Sequence, residues 1–290
     1  MPFTLDHLNA APAAEFVTAL GKVFEDAPWV AEAVAPARPF ATVAVLHEAM
    51  LAAMRTAPPD LFLMFLRGHP ELAGAAAQAG TLGVDSTFEQ AGLELNRPAN
   101  DAETLAAMNA GYLEKFGFPF IVCVRRHTRA SVLSEFRRRL TLDAPSEKRT
   151  ALREIAYITR LRLVGLVDGP GAPVVNGSLT THVLDTSRGC PAGNVTMELF
   201  EVGGVQPALL ATGATNAEGR TDQPLLENEP LRIGYYELRF DIGKYFSGRL
   251  AEQPPFLGVV PIRFSISEPE THYHIPLLVS PGGYSTYRGN

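Results

Sequence analysis

The sequence predicts two domains, an all-α helical domain over residues 1–166 followed by an all-β sandwich over residues 177–290. Chain length is the first observation, because 290 residues suffice for two domains at about 150 residues each. Periodicity is the second, since apolar residues recur at helical spacing in the first half and alternate with polar residues in the second. The third is the run Asp-Gly-Pro-Gly-Ala-Pro from residue 168, which is typical of a linker and predicts one at residues 167–176.

Three stretches of the first half place apolar residues three or four positions apart, which is the spacing of one helical face. They run from Phe16 to Phe24, from Leu46 to Met54 and from Leu105 to Phe116. Each stretch predicts an amphipathic helix whose apolar face packs into a core.

Capping residues predict where helices begin and end. Asn100 with Glu103 resembles a capping box at the start of the third helix, and Gly117 is suited to end it. Ser131 and Ser146 are predicted N-caps of two further helices, because a serine hydroxyl can accept a hydrogen bond from a free backbone amide. These residues predict that helices continue to the end of the first half.

Alternation of apolar and polar residues predicts the strands of the second half, as at Val195, Met197 and Leu199. Five segments there are rich in Val, Ile, Thr, Tyr and Phe: 179–185, 194–202, 232–240, 259–266 and 272–279. Turn sequences rich in Asn, Gly and Pro separate them. Several short strands punctuated in this way are typical of a β-sandwich.

Composition and charge argue against several classes of protein. The net charge is −6, from 25 basic and 31 acidic residues, which disfavours binding to nucleic acid. No apolar run reaches the ~18–20 residues of a membrane helix, and the N-terminus lacks a basic start followed by an apolar stretch, so neither a membrane segment nor a signal peptide is predicted. Cys123 and Cys190 lie too far apart in sequence to suggest a disulfide framework, and we therefore expect a cytoplasmic protein.

Histidines and an arginine of the second half form the first candidate site. In a strand, His272 and His274 point to the same face and Tyr273 to the other, and His182 lies in another predicted strand. A neutral imidazole can take a proton from water near pH 7, and an arginine such as Arg220 can bind an anionic or carbonyl-rich substrate. Two other interpretations stay open from the residues alone: hydrogen-bonded core histidines, or a zinc ion held by three histidines.

The motifs around these residues resemble those of the transthyretin-related 5-hydroxyisourate hydrolases over about residues 177–290. The resemblance rests on HVLDTSRGCPA, TNAEGRTD, PIRFSI and HYHIPLLVSPGGYSTYRG. It implies hydrolysis of 5-hydroxyisourate by a homotetramer whose active sites lie between subunits. The implied site residues are catalytic His182, Arg220 and His274 and substrate-binding Tyr287 and Arg288, with His272 the weaker candidate of its pair. This chain has Asn290 where the family usually has serine, which leaves the role of that position open.

A second candidate site lies in the first half. His69 precedes a proline where the helical pattern breaks, so it is predicted in a loop or at a helix boundary. Ser86 and Glu89 fit a capping box, which is their purely structural interpretation. Arg162 shares a helical face with Ile158, so its charge needs a partner or an anion unless the side chain reaches solvent by snorkelling.

These motifs resemble those of the 2-oxo-4-hydroxy-4-carboxy-5-ureidoimidazoline (OHCU) decarboxylases over most of residues 5–166. The resemblance rests on GHPELAG, on Ser-x-x-Glu-Gln-x-x-Gly-Leu from residue 86, on EKFGFPFIVCVR and on the Leu-Arg-Leu around residue 162. It implies an all-helical decarboxylase that uses no cofactor. The implied site residues are catalytic His69 and Glu89, substrate-binding Arg162, and a pocket lined by Pro70, Ser86, Gln90 and the backbone of Phe120 and Ile121.

The two resemblances imply consecutive reactions, because the hydrolase product is the decarboxylase substrate. Together they predict a bifunctional enzyme of urate catabolism that converts 5-hydroxyisourate to (S)-allantoin without a cofactor or metal, and that binds small molecules rather than nucleic acid or membranes. The alternative is a non-enzymatic transthyretin-like binding or scaffold protein. A carrier has no need of His182, Arg220 and His274 together, which favours the enzyme.

Overall fold

The computed structural model describes residues 2–25, 27–72, 99–249 and 254–289. The chain forms two compact units, one of residues 1–125 and 132–175 and one of residues 126–131 and 176–290. Each unit has its own hydrophobic core.

Helices dominate the first unit, as predicted. Those that the structure describes between residues 5 and 166 are α1 (Leu5–Ala10), α2 (Ala13–Leu20), α3 (Pro28–Val34), α4 (Val43–Arg55), α5 (Pro59–Arg67), α6 (Ala99–Phe116), α7 (Arg129–Arg139) and α8 (Ala144–Leu166). Their apolar sides form the core, which includes the buried Leu8, Phe16, Leu46 and Tyr112. No single described helix is long and apolar enough to cross a membrane, and α4 and α5 meet that criterion only as a pair bent by 110°.

A short strand pair makes the first unit helical rather than strictly all-α. β1 (Phe3–Thr4) pairs in parallel with β2 (Val167–Asp168), so the first residues of the predicted linker form a strand of this unit. The chain then passes the start of α4, where the amide of Val43 donates to the carbonyl of Pro170 over 3.0 Å. The first amides of a helix lack partners within it, and the linker satisfies two of them, because the Ala44 amide also donates to the Gly171 carbonyl over 3.3 Å.

Two predicted helix starts are wrong by three residues. α7 follows Thr128, whose hydroxyl accepts a hydrogen bond from the Ser131 amide over 3.3 Å. α8 follows Asp143, whose carboxylate accepts from the Ser146 amide over 2.7 Å. Each serine therefore supplies the amide that is capped rather than the cap. Gly117 follows α6 with φ at +75°, a left-handed conformation that glycine adopts without strain, as predicted.

Two of the predicted apolar stretches differ from the structure at one end. α2 stops at Leu20, and Val23 and Phe24 lie in the following turn, where both side chains are still buried in the core. Asn100 lies inside α6 rather than before it. The side chains of the predicted capping box, Asn100 and Glu103, fall outside the described part of the chain.

Two four-stranded sheets form the second unit. Their strands are β3 (Ser178–Asp185), β4 (Cys190–Pro191), β5 (Thr196–Glu201), β6 (Ala208–Ala214), β7 (Gly234–Asp241), β8 (Val259–Ile266), β9 (His272–Ser280) and β10 (Gly283–Thr286). The first sheet of this unit has the strand order β10-β9-β3-β4, and the second has the order β6-β5-β7-β8. β3 and β9 are parallel, and the other neighbours are antiparallel. A short helix, α9 (Ile242–Phe246), follows β7 and is capped by the Asp241 carboxylate.

Alternation along β3 and β9 places the candidate residues on one outer face of the first sheet. On β3, Leu179 and Val183 are buried in the sandwich core, and Thr180 and His182 point to the opposite side. In the parallel register, Thr180 lies directly beside His274. The sheet therefore brings together residues that lie 94 positions apart in sequence.

The two cores consist of separate sets of described residues. The chain's single tryptophan, Trp29, lies in α3 and packs against the core of the first unit. The core of the second unit is built from both sheets, with Val183 and Leu277 from one and Leu199 and Phe240 from the other.

We expect the first unit to lose stability in mild acid because of His47. This histidine is buried on α4, and its Nε2 lies 2.9 Å from the Thr159 hydroxyl oxygen. Burial lowers its pKa to about 4, Glu48 opposes the shift, and Arg160 and Arg55 add to it. The unfolded chain takes up this proton below its ordinary pKa of 6.5 and the folded chain only near 4, so stability falls as the pH falls through that window. Between pH 7 and pH 5 this group alone removes about 2 kcal/mol.

Urea denaturation near pH 7 and near pH 5, followed by the helical circular dichroism signal, measures this loss. His47→Gln keeps a hydrogen-bonding group beside Thr159 but cannot titrate, so its free energy of unfolding should change less between the two pH values. His7→Gln is the matched control, because it removes an exposed histidine of the same unit whose surface pair with Glu15 contributes little to the free energy of unfolding. Equal pH dependence in His47→Gln and the wild type would contradict the assignment.

Candidate active sites

Three side chains from separate elements converge in the first unit. Glu25 lies in the turn after α2, His69 follows α5, and Arg162 lies on α8. Arg162 Nη2 is 2.6 Å from Glu25 Oε1, and the Arg162 side chain is only 9% exposed. Both charges act on the pKa of His69, Glu25 raising it and Arg162 lowering it. The buried arginine predicted on the apolar face of its helix therefore has an acidic partner and a histidine within electrostatic range.

His69 is held as a buried, neutral imidazole. Its Nδ1 lies 3.1 Å from the Phe65 carbonyl oxygen, and its ring stands edge-on to the Phe65 ring at 4.8 Å. Burial is the largest influence on its pKa and lowers it, so the ring is neutral near pH 7. Because a carbonyl oxygen only accepts hydrogen bonds, Nδ1 carries the hydrogen and the lone pair lies on Nε2.

The segment of Phe120 and Ile121 is held by buried charged side chains. Arg139 Nη1 donates to the Ile121 carbonyl over 2.7 Å, and its guanidinium lies 4.4 Å from the centre of the Phe120 ring. Arg139 forms a fully buried ion pair with Glu147, to which the Tyr112 hydroxyl also donates. A buried ion pair keeps its charges only where further hydrogen bonds surround it, so this network fixes the backbone of the segment firmly.

The other residues predicted for this site are only partly described. Pro70 follows His69 directly and is half-buried. Ser86, Glu89 and Gln90 lie outside the described residues. Sequence reasoning missed Glu25, which has a φ of +49°, a left-handed conformation that is uncommon for a non-glycine residue. Nothing in the local sequence pairs it with an arginine 137 residues away.

A cleft of about 450 Å³ opens on the outer face of the first sheet of the second unit. Its lining includes four residues singled out from the sequence, Arg220, His272, His274 and Tyr287. It also includes Thr180, Thr181, Thr221, Asp222, Gln223, Pro224 and Gly289. His182 and Arg288 are not among the residues that line it, so their predicted roles rest on the resemblance alone.

His274 faces this cleft beside a threonine. The Thr180 hydroxyl oxygen is 2.8 Å from His274 Nδ1 and 2.7 Å from His272 Nε2. Burial and the neighbouring Arg220, His272 and His182 lower the pKa of His274. A neutral imidazole at this position can take a proton from water near pH 7.

The turn that carries Arg220 packs against His182. Asn216 Oδ1 accepts a hydrogen bond from the Arg220 amide over 3.2 Å, and residues 182 and 220 form an antiparallel bridge. Gly219 has a φ of +71°, and a Cβ there would lie 2.3 Å from the Val183 carbonyl oxygen, so only glycine fits. This close approach keeps the Arg220 backbone against β3.

His182 has one ring nitrogen without a described partner. Burial and Arg220 lower its pKa, and a hydrogen bond to the Glu218 backbone raises it. Nε2 is buried and has no hydrogen-bond partner among the residues that the structure describes.

The C-terminal residues close one side of the cleft. The Gly289 amide donates to the His274 carbonyl over 2.9 Å, and a Cβ on Gly289 would lie 2.5 Å from His274 Cδ2. Tyr287 lines the cleft, whereas the Arg288 guanidinium lies 4.9 Å from the centre of the Tyr273 ring. The glycine of the predicted Tyr-Arg-Gly motif is thus required for a close contact with a site histidine, which the spacing of the motif did not reveal.

This geometry bears on the two other interpretations that the sequence left open, core histidines and a zinc site. His274 lines an open cleft, so it is not a core histidine. Within the described parts of the chain, no three His, Cys, Asp or Glu side chains stand close enough to share a metal ion. The arrangement suits proton transfer beside a bound anion or carbonyl group.

The fold and the two sites are those of an enzyme made of two fused units. The helical unit holds His69 and Arg162 at its site, and the cleft of the sandwich is lined by His274 and Arg220. The chain belongs to the OHCU decarboxylase family, whose model matches residues 9–164, and to the HIUase/transthyretin family, whose model matches residues 179–289.

Individual proteins match each half and the whole chain. A 5-hydroxyisourate hydrolase from Pseudomonas aeruginosa is 48% identical over 122 residues, which cover 41% of this chain and 97% of that protein. A 2-oxo-4-hydroxy-4-carboxy-5-ureidoimidazoline decarboxylase from Mus musculus is 38% identical over 161 residues, which cover 55% of this chain and 90% of that protein. A crystal structure of (S)-allantoin synthase is 32% identical, covers 100% of both chains and has a TM-score of 0.54.

Proposed function

We propose that this chain is a bifunctional enzyme of urate degradation. The second unit hydrolyses 5-hydroxyisourate to OHCU, and the first unit decarboxylates OHCU to (S)-allantoin. The main support for this proposal is that one chain contains both families and is similar over its full length to an (S)-allantoin synthase. Because the product of one unit is the substrate of the other, the fusion raises the local concentration of the intermediate.

Hydrolysis needs a base for water and a cation for the oxygen that gains charge. His274 is neutral and lines the cleft, so it takes a proton from water as the water oxygen attacks the ring carbonyl. Arg220 lines the same cleft, where it orients the substrate and stabilises the oxyanion. The ring C–N bond then breaks, and the proton passes from His274 to the leaving nitrogen. We assign His182 as the second catalytic imidazole and Tyr287 and Arg288 to substrate binding.

Decarboxylation without a cofactor needs an electron sink in the substrate. When the bond to the carboxylate breaks, carbon dioxide leaves and the electron pair moves onto the nitrogen of the ring C=N, which takes a proton. Protonation of the former C=N carbon and loss of the hydroxyl proton then give allantoin. Arg162 fixes the planar ureido or carboxylate group, and its ion pair with Glu25 holds the guanidinium in place. His69 stabilises the developing charge or handles the proton, and we assign Glu89 to the substrate hydroxyl.

Adding the purified protein to urate and urate oxidase tests this function. Both intermediates should disappear faster than they do without the protein, and the allantoin formed should be the (S) enantiomer, as measured by circular dichroism. Without enzyme the intermediates decay spontaneously, so the rate and the handedness are both informative. Stoichiometric binding of 5-hydroxyisourate with no turnover would instead favour a transthyretin-like binding protein.

We also propose that the sandwich unit assembles as a tetramer. Two tyrosines near the C-terminus are exposed, Tyr284 at 47% and Tyr287 at 59%, and Tyr287 lines the cleft. Exposed tyrosines beside a site are typical of interfaces. Light scattering at micromolar concentration should give four times the mass of one chain, and a monomer that still hydrolyses 5-hydroxyisourate would overturn this proposal.

A further inference from the structure

One hydroxyl group lies between two imidazoles at the hydrolase cleft. The Thr180 oxygen is within hydrogen-bond distance of His272 Nε2, at 2.7 Å, and of His274 Nδ1, at 2.8 Å. The parallel register of β3 and β9 sets Thr180 beside His274, and His272 lies two residues earlier on the same face of β9. All three residues line the cleft.

A hydroxyl group has one hydrogen, so Thr180 can donate to only one of the two nitrogens. In one arrangement it donates to His272 Nε2 and accepts from His274 Nδ1–H, which leaves the His274 lone pair on Nε2. In the other it donates to His274 Nδ1 and accepts from His272 Nε2–H, which places the hydrogen of a neutral His274 on Nε2. The tautomers of the two histidines are therefore coupled through this oxygen.

Only the first arrangement allows His274 to act as a base at Nε2. When Nε2 takes the proton from water, Nδ1–H already donates to Thr180, so the new imidazolium gains a charge-assisted hydrogen bond without rearrangement. When the leaving nitrogen takes that proton, His274 returns to its starting tautomer. His272 keeps Thr180 in this orientation by accepting its hydrogen.

We propose that Thr180 is a positioning residue for hydrolysis, which fixes the catalytic tautomer of His274 and is itself oriented by His272. This inference rests on the proposed hydrolase activity. It also gives the exposed His272, the weaker histidine of the pair, a role that does not require contact with substrate.

Steady-state hydrolysis of freshly made 5-hydroxyisourate by the full chain tests the proposal. Thr180→Val keeps the side-chain shape but loses the hydroxyl, and we expect kcat to fall about ten- to hundredfold with little change in KM. Thr180→Ser restores the hydroxyl and should recover most of kcat. Thr186→Val is the matched control, because Thr186 donates to the Val279 carbonyl between the same two chain segments and touches neither imidazole.

The pH profile separates a tautomer effect from a packing effect. The groups that set the proton affinity of His274 are Arg220, His272 and His182, and all three remain in Thr180→Val. Without the oxygen that accepts from Nδ1–H, the imidazolium is less stable, so the acidic limb of the kcat profile should move to lower pH. A merely structural role would lower activity without moving this limb.

A double variant tests the role of His272. If His272 acts through Thr180, His272→Ala should lower kcat on its own but should cause no further loss in Thr180→Val. Additive losses would overturn that part of the proposal. Wild-type kcat and pH profile in Thr180→Val, or equal impairment in Thr180→Ser, would overturn the proposal as a whole.

Two further results keep the test decisive. If the sandwich of Thr180→Val does not fold, as judged by circular dichroism and by thermal melting, the pH profiles of Thr180→Ser and His272→Ala decide, and an unchanged acidic limb in both overturns the proposal. If the wild type shows no hydrolysis above the spontaneous rate, the proposed function has failed rather than the role of Thr180.

Discussion

His69→Ala will stop decarboxylation and leave hydrolysis of 5-hydroxyisourate near its normal rate. The variant removes the buried neutral imidazole beside Arg162 and Glu25, and loss of a group that handles a proton typically costs about 10²–10⁴-fold in rate. The hydrolase cleft lies in a separate unit with its own core, so its chemistry should be unaffected. When 5-hydroxyisourate is supplied, OHCU should accumulate, and it can be followed by its absorbance and by the absence of enantiopure allantoin.

Matched variants make this result specific. His7→Ala removes an exposed histidine of the same unit and should keep both activities. Arg162→Ala should behave like His69→Ala, whereas Arg153→Ala, on an exposed position of the same helix, should not. Glu89→Ala is expected to share the phenotype of His69→Ala. Loss of both activities in a folded His69→Ala protein would contradict independent sites.

Deleting residues 287–290 will abolish hydrolysis and spare decarboxylation. The deletion removes Tyr287 from the cleft lining and removes the Gly289 amide that donates to the His274 carbonyl. Loss of one polar group from a site typically costs about ten- to hundredfold in rate, and here the backbone of His274 loses a hydrogen bond as well. Both half-reactions should be assayed after the oligomeric state of the truncated protein has been compared with that of the full chain.

A single substitution refines the same prediction. Gly289→Ala would place a Cβ 2.5 Å from His274 Cδ2, so either the terminal segment or the imidazole must move, and hydrolysis should fall sharply. Gly282→Ala is the control, because a Cβ there meets no heavy atom within 4 Å. Unchanged hydrolysis in both the deletion and Gly289→Ala would mean that the terminal motif is not part of the site.

The fold could be predicted where burial leaves a periodic pattern. β3 and β9 alternate buried and outward residues, and both were predicted within one residue of their ends. β6, the segment Ala208–Ala214, was missed because it lies at the edge of its sheet and its residues are mostly exposed, so no apolar alternation marks it. The strand exists because of its pairing with β5, which the local sequence does not encode.

The site could be predicted only as far as single strands and helices determine it. The shared face of His272 and His274 follows from strand geometry, and the burial of Arg162 follows from its place on a helix. Thr180 and Glu25 contact partners 94 and 137 residues away in sequence, and only tertiary packing brings those residues together. Neither residue type at those positions carries a signal of its own, since threonine is common in strands and glutamate is common at protein surfaces.

The placement of Trp29 and of the tyrosines lets fluorescence distinguish the two units. As the only tryptophan, it lies against the helical core, whereas six of the eight tyrosines lie in residues 176–290. Indole fluorescence will therefore follow the melting of the decarboxylase unit alone, and tyrosine emission will be weighted toward the sandwich. A ligand that binds only the hydrolase cleft should raise the melting temperature seen by tyrosine and leave the tryptophan transition in place.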